Sequence, residues 1–300
     1  MSNAYQETMF ILKKYNIIAN KSLGQNFLIN DEVIENTVNA ANITEKDLVI
    51  EIGPGLGTLT SLLLEKAKKV IAIELDNRMI NILNERFNLY SNFEIIHQDV
   101  LKVDLKNIIE TEKRENGIEK VKIVANLPYY ITTPIIMKLL EDKLDVESIT
   151  VMVQKEVAER LIATPGEKLA GAITYSVNYY CEVEKVVEVP KESFIPAPEV
   201  ESEVIKLILR KKAPVEVKDE NKFFKLIKVS FMQRRKTFLN GVSNSGLIEK
   251  QKLKNILEEL EISENMRGEN LSLEQFAQIS NKMWMKIIVS VAQKISRSKC

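Results

Sequence analysis

The 300 residues carry 42 Lys and Arg against 42 Asp and Glu, a formal net charge of zero, with 45% hydrophobic and 28% charged residues. This is the makeup of a folded globular chain, long enough for one large domain plus a small one; it excludes a disordered chain and a uniformly basic nucleic-acid binder, so any polyanion site must come from local segregation of charge. One histidine, His97, and two distant cysteines, Cys181 and Cys300, leave neither a His/Cys zinc cluster nor a disulfide framework, and the chemistry expected is one that needs no imidazole.

The opening segment, Met1 to Leu12, lacks the charged start, apolar core and small-residue cleavage site of a signal peptide. No stretch approaches the ~20 apolar residues of a membrane helix, so a cytoplasmic protein with no membrane partner is expected. Lys13-Lys14 with Lys21 is the first basic cluster. From about residue 48 short apolar runs alternate with amphipathic stretches. Strands are predicted at Leu48–Ile52, Val70–Glu74, Phe93–Ile96 and Lys122–Ala125, with helices over about 58–67 and 77–87. Continuous apolar strands separated by helices imply a parallel sheet covered on both faces. Ser148–Val153 and Val200–Leu209 read as further strands of that sheet. Lys211–Asp219, with Ala213-Pro214 and alternating charge, reads as a linker, and Glu220–Cys300 shows only helical periodicity. The expectation is an α/β domain over residues 1–211 and a small all-helical domain over 212–300. Basic residues gather at Arg210-Lys211-Lys212, at Arg234-Arg235-Lys236 and in a tail with Lys282, Lys286, Lys294, Arg297 and Lys299, where no acidic residue follows Gln275.

Four segments carry chemistry. Glu51-Ile52-Gly53-Pro54-Gly55-Leu56-Gly57 lies between a strand and a helix, where glycines let a ligand approach the backbone at the carboxyl edge of the sheet. A dinucleotide fingerprint wants a third glycine at 58, where this chain has Thr58. The acidic Glu51 and the G-x-G-x-G spacing favour S-adenosylmethionine instead. Glu74, ~20 residues after the loop at the end of the second strand, is placed to accept both ribose hydroxyls. As an N-cap for the next helix, Asp76 is the better candidate. In His97-Gln98-Asp99, Asp99 is placed to accept from the cofactor's adenine amino group, and His97 is read as structural.

The most specific segment is Asn126-Leu127-Pro128-Tyr129, at the end of the fourth strand. The lone pair of an adenine N6 is delocalised into the ring. Hydrogen bonds from both N6 protons to the Asn126 side-chain oxygen and the Leu127 carbonyl would localise it toward a methyl donor. Pro128 holds Leu127 extended, and Tyr129 offers a face on which a flipped base can stack.

With these residues in place the chain resembles the KsgA family of small-subunit ribosomal RNA adenine dimethyltransferases, from about residue 10 to about residue 280. Three further segments carry the resemblance. Lys21–Leu28 is similar to the family's entry segment over the cofactor, which implies contacts from Asn26 and Leu28. Phe194–Ser202 is similar to the loop whose phenylalanine, here Phe194, closes on the target base opposite Tyr129. Phe231–Thr237 is similar to the basic segment that opens the helical domain, which implies RNA contacts from Arg234, Arg235 and Lys236. The resemblance implies a Rossmann-like S-adenosylmethionine-dependent methyltransferase domain and a helical domain gripping ribosomal RNA. It further implies dimethylation, on the immature small ribosomal subunit, of two adjacent adenosines near the 3′ end of the rRNA. A monomer without a metal is expected. Cofactor contacts are expected from Asn26, Leu28, Glu51, Gly53, Gly55, Gly57, Glu74, Asp99 and Asn126, with catalysis at Asn126, Leu127, Tyr129 and Phe194. Three other readings stay open: a large-subunit methyltransferase of the antibiotic-resistance type, a ribosome-assembly factor that acts mainly by binding, and a nicotinamide oxidoreductase, which Thr58 disfavours.

Overall fold

The computed structural model describes residues 3–20, 23–233 and 235–283. Lys21, Arg234, Trp284 and the basic tail beyond it lie outside the described residues. The chain divides into two compact units: the first takes the chain up to Ile162 plus Cys181–Leu209, and the second takes Ala163–Tyr180 and the chain from Arg210 onward.

In the first unit, helix α1 (Ala4–Lys14) leads through the two-residue strand β1 (Phe27–Leu28) to α2 (Asp31–Ala40). Strand and helix then alternate: β2 (Asp47–Ile52), α3 (Thr58–Lys66), β3 (Lys69–Glu74), α4 (Asn77–Arg86), β4 (Phe93–His97), α5 (Leu105–Asn116), β5 (Lys120–Asn126), α6 (Thr132–Glu141), β6 (Ser148–Gln154) and α7 (Lys155–Ile162). The chain leaves this unit for α8 (Ala172–Tyr180) and returns with β7 (Cys181–Val189), β8 (Phe194–Ile195) and β9 (Ser202–Leu209). One seven-stranded sheet has the order β4-β3-β2-β5-β6-β9-β7, with β2 to β6 mutually parallel. Every residue of β2 is buried, as a strand covered on both faces requires.

The last two strands differ from the parallel expectation. β9 runs antiparallel to β6, and β7 antiparallel to β9 at the sheet edge. β7 is not legible as a strand because it mixes exposed Glu182, Glu184 and Glu188 with half-buried valines and carries an irregularity between Lys185 and Val187. Charge and bulges are how exposed sheet edges avoid pairing with other chains.

The order of strands creates the site. From β2 the chain moves outward through β3 and β4, then returns to the other side of β2 for β5 and β6. The carboxyl ends of β3, β2 and β5 therefore lie side by side, with Ile52 in register with Ile73 on one side and Ala125 on the other. Such a switch point is where open α/β sheets hold ligands.

The second unit contains α8 with α9 (Glu220–Met232), α10 (Phe238–Asn244), α11 (Lys250–Glu259) and a helical run over 273–283. Its core gathers Tyr175, Phe223, Phe238 and Phe276, all fully buried. Each buried aromatic contributes on the order of 2–3 kcal/mol. The Tyr175 hydroxyl accepts from Gly166 N at 3.2 Å and donates to Leu271 O at 2.5 Å. Where the sequence reading places one crossing near residue 211, residues 163–180 make an earlier excursion. Their apolar face, Ala170, Tyr175 and Tyr179, is buried among the second unit's phenylalanines.

Candidate active site

The turn after β2 is built on Gly53 and Gly55, at φ +68° and +58°. Gly53 N donates to Ile73 O at 2.9 Å, tying the turn to β3. Gly55 N donates to Glu74 Oε2 at 3.2 Å, and Glu74 Oε1 accepts from Leu75 N at 2.7 Å and Asp76 N at 2.8 Å. Glu74 is thus clamped by three backbone N–H groups at the end of β3. Burial raises its pKa, and those N–H donors work in the opposite direction. It does not cap α4. Asp76 does, accepting from Arg78 N at 3.0 Å.

Gly57 has a different place from the one expected. It does not line the cleft; it turns toward α4, and a Cβ there would lie 2.6 Å from the Phe87 ring and 2.9 Å from Leu83 Cδ2. Its φ of +84° and this close approach make it a packing glycine behind the loop.

Glu51 is fully buried, accepts from the Thr60 hydroxyl at 2.6 Å, and is pushed up to about 8 by burial, with the Thr60 hydrogen bond opposing and the Glu74 charge adding to the rise. Asp99 lines the cleft and accepts from Leu101 N at 3.0 Å. His97 does not line the cleft, and its Nε2 lies 3.2 Å from Leu75 O.

The Asn126–Tyr129 turn sits at the end of β5. Leu127 N donates to Met152 O at 3.2 Å, and the Pro128 carbonyl accepts from Ile131 N and the Thr132 hydroxyl, both at 3.1 Å, which leads the turn into α6. Asn126 Nδ2 donates to Asn26 O at 3.4 Å, leaving Oδ1 as an acceptor. The Tyr129 hydroxyl shares a 2.6 Å hydrogen bond with Ser202 Oγ, which orients the ring; burial raises its pKa and this bond opposes the rise.

These loops surround one cleft at the carboxyl ends of the parallel strands. Asn26, Leu28, Glu51, Gly53, Gly55, Glu74, Asp99, Asn126, Leu127 and Tyr129 all line it. Phe194 does not. It is 3% exposed and packs in the apolar cluster with Leu28, Val189 and Val204, its strand paired antiparallel to β1. Gln25, Gln98 and Tyr130 also line the cleft, and Ser202 supports it from behind. Sequence reasoning assigns none of these four a role: Gln25, Gln98 and Tyr130 stand in loops with no periodicity to mark them, and Ser202 opens β9. Among the described residues that line the cleft there are three acidic side chains, Glu51, Glu74 and Asp99, and no Lys, Arg or His. No group of three or more His, Cys, Asp or Glu side chains is placed to share a metal ion among the described residues, and no helix among them is long and apolar enough to cross a membrane.

Outside the cleft, Arg235 and Lys236 are exposed between α9 and α10, and Arg210, Lys211 and Lys212 are exposed after β9. Arg234 lies outside the described residues.

Comparison with known proteins bears on the family and the fold. The family model described as ribosomal RNA adenine dimethylase matches residues 17–284. A protein named ribosomal RNA small subunit methyltransferase A from Geobacillus sp. (strain WCH70) is 47% identical over 92% of this chain and 95% of its own length. Its counterpart from Clostridioides difficile (strain 630) is 46% identical over 95% of this chain and 98% of its own length. Among solved structures, a dimethyladenosine transferase from Plasmodium falciparum superposes with a TM-score of 0.70 at 29% identity, covering 84% of this chain and 95% of that one. The fold is also that of the 23S rRNA methyltransferase ErmE, at a TM-score of 0.64 and 22% identity over 86% of this chain and 99% of that one. By the match of the family model and the identity to these relatives over nearly its whole length, the chain belongs to the ribosomal RNA adenine dimethylase family.

Proposed function

We propose that the chain transfers methyl groups from S-adenosylmethionine to N6 of two adjacent adenosines near the 3′ end of small-subunit ribosomal RNA, giving N6,N6-dimethyladenosine during maturation of the small subunit in the cytoplasm. The observation that carries the cofactor half is the charge of the cleft: Glu74 and Asp99 line it, beside the buried carboxyl of Glu51, and no basic side chain does among the described residues. A ligand bearing a sulfonium and an ammonium is attracted there. The pyrophosphate of a nicotinamide dinucleotide would face the Glu74 and Asp99 carboxylates and no cation, which argues against the oxidoreductase reading.

S-adenosylmethionine supplies a methyl group on a sulfonium, already a good leaving group, so the protein's part is alignment and electrostatics. Glu74, held rigid by three N–H groups, is the acceptor for ribose hydroxyls, and Asp99 for an adenine amino group. Asn126 Oδ1 and the Leu127 carbonyl accept the N6 protons of the target base and turn its lone pair outward. Tyr129, fixed through Ser202, gives the base a stacking face. The first unit is the catalytic part in this reading. The second unit, with Arg235 and Lys236 exposed and Arg234 beside them in sequence, is the part that grips RNA phosphates.

The test is transfer of labelled methyl to purified, undermethylated small ribosomal subunits, followed by nucleoside analysis. N6,N6-dimethyladenosine is the expected product. Asn126→Ala should lower transfer at least ~100-fold, the scale of losing one transition-state hydrogen-bonding partner, while particle binding is kept. Label only in large-subunit RNA would overturn the substrate, and equal loss of binding and transfer in the variant would make the Asn126 turn structural.

A further inference from the structure

Residues 23–28, which run into β1, line the cleft, and two consecutive residues among them bond to different strand ends. Asn26 O accepts from Asn126 Nδ2 at 3.4 Å, on the β5 side. Gln25 Nε2 donates to Asp76 Oδ2 at 2.8 Å, on the β3 side. The Gln25 contact is the better formed, and its acceptor is buried and charged.

Asp76 is the centre of a small network. Its Oδ2 receives Gln25 Nε2 and also Arg78 Nη2 at 2.5 Å, and its Oδ1 receives Arg78 Nε and Arg78 N, both at 3.0 Å. Arg78 reaches on from there: Nη1 donates to Ile18 O at 3.2 Å and Nη2 lies 3.5 Å from Gln25 Oε1. Gln25 Oε1 in turn accepts from Asn20 N at 2.8 Å. The chain on both sides of Lys21 and Ser22 is therefore drawn to the β3–α4 corner through one carboxylate and one guanidinium. Burial pushes the Asp76 carboxyl up, but the hydrogen bonds from Arg78 and Gln25 outweigh it and hold the group below its ordinary value, so it is ionised where the protein works. Neighbouring Glu74 is fixed to the glycine loop through Gly55 N, so the same corner holds both the glycine loop and residue 25 of the entry segment.

We propose that Gln25, Asp76 and Arg78 act as a latch that holds the entry segment in its binding conformation and thereby sets the affinity for S-adenosylmethionine. The inference rests on the cofactor reading above and assigns positioning roles to three residues, two of which do not line the cleft. Its physical basis is preorganisation: a segment already ordered before the ligand arrives does not charge its ordering entropy to binding.

The chemistry of the network supplies a clean test. Asp76→Asn keeps an oxygen to cap α4 but presents an amide N–H where Gln25 Nε2 needs an acceptor. Gln25→Glu sets a second carboxylate against Asp76. The double variant restores one donor and one acceptor with the direction reversed, and the Glu carboxylate still accepts from Asn20 N and faces Arg78. Each single variant should weaken S-adenosylmethionine binding by calorimetry about tenfold, as expected for loss of a hydrogen bond to a charged group. Each should also speed hydrogen exchange at the amides of residues 23–28, and the double variant should recover both signals. Single variants that bind as the parent protein does, or a double variant that recovers neither signal, would overturn the latch. A parent protein that binds no S-adenosylmethionine would sink the cofactor reading and the affinity claim with it; faster exchange in the single variants would then still report the mechanical tie.

Discussion

Replacing Gly57 by alanine separates packing from ligand contact in the glycine loop. Two effects add. Alanine at φ +84° adopts a left-handed conformation, at a cost of about 1–2 kcal/mol. Its Cβ would also sit 2.6 Å from Phe87 Cε2 and 2.9 Å from Leu83 Cδ2, and both side chains are buried, so the overlap must be relieved by shifts in a packed core at about 1–3 kcal/mol. Together these give roughly 2–5 kcal/mol, which for a unit of this size corresponds to a fall in Tm of roughly 5–15 °C. The assay is thermal melting followed by far-ultraviolet circular dichroism, with S-adenosylmethionine affinity measured at a temperature where both proteins are folded. Adding Phe87→Leu removes the nearest ring atoms but leaves the backbone conformation, so the double variant should regain about half of what Gly57→Ala loses relative to Phe87→Leu alone. A destabilisation below about 1 kcal/mol, or no recovery with Phe87→Leu, would refute the packing argument. Full stability with weakened affinity would return Gly57 to the ligand side of the loop.

Three other outcomes follow from the same structure. The carboxyl of Glu51 rises on folding from 4.5 to about 8, so the stability it contributes is fully present below 4.5, declines as pH rises, and is gone above about 8. Glu51→Gln cannot ionise, and its Tm relative to the parent protein should therefore climb between about pH 5 and about pH 9; a difference that stays flat with pH would show that Glu51 is not protonated in the folded chain. Phe194→Ala should destabilise the first unit by about 3–5 kcal/mol, because the ring is 3% exposed in the core. An unchanged melt with a raised KM for RNA would instead place the ring on the target base. Replacing Arg235 and Lys236 by alanine should weaken particle binding and reduce the slope of log K against log salt by about one for each phosphate that is no longer neutralised, whereas an unaltered slope would remove them from the RNA-binding surface.

The composition and pattern of the chain by themselves determined the strands β2 to β6, the helices α3 and α4 between the first three of them, the glycine loop and the Asn126–Tyr129 turn, but not α5 and α6. The reason is physical: buried parallel strands must be continuously apolar, and turns that approach a ligand need glycine or proline at set positions, so both leave local signatures. Glu74 and Asp99 were legible for the same cause, each standing at or just past the end of such a strand. What depends on partners distant in sequence was not legible. Only the folded sheet shows that β9 turns antiparallel against β6 and carries β7 at its edge, because strand direction is chosen by pairing and the charged edge strand hides its own pattern. Only the packing beside α4 shows that Gly57 lies against Phe87 and Leu83 and not among the residues lining the cleft. Pairing of β8 with β1 draws Phe194 into the core. The union of Gln25 with Asp76, 51 residues apart, exists solely because the entry segment and the β3 corner meet in space. Such an interaction is set by three-dimensional proximity, and no local periodicity encodes it.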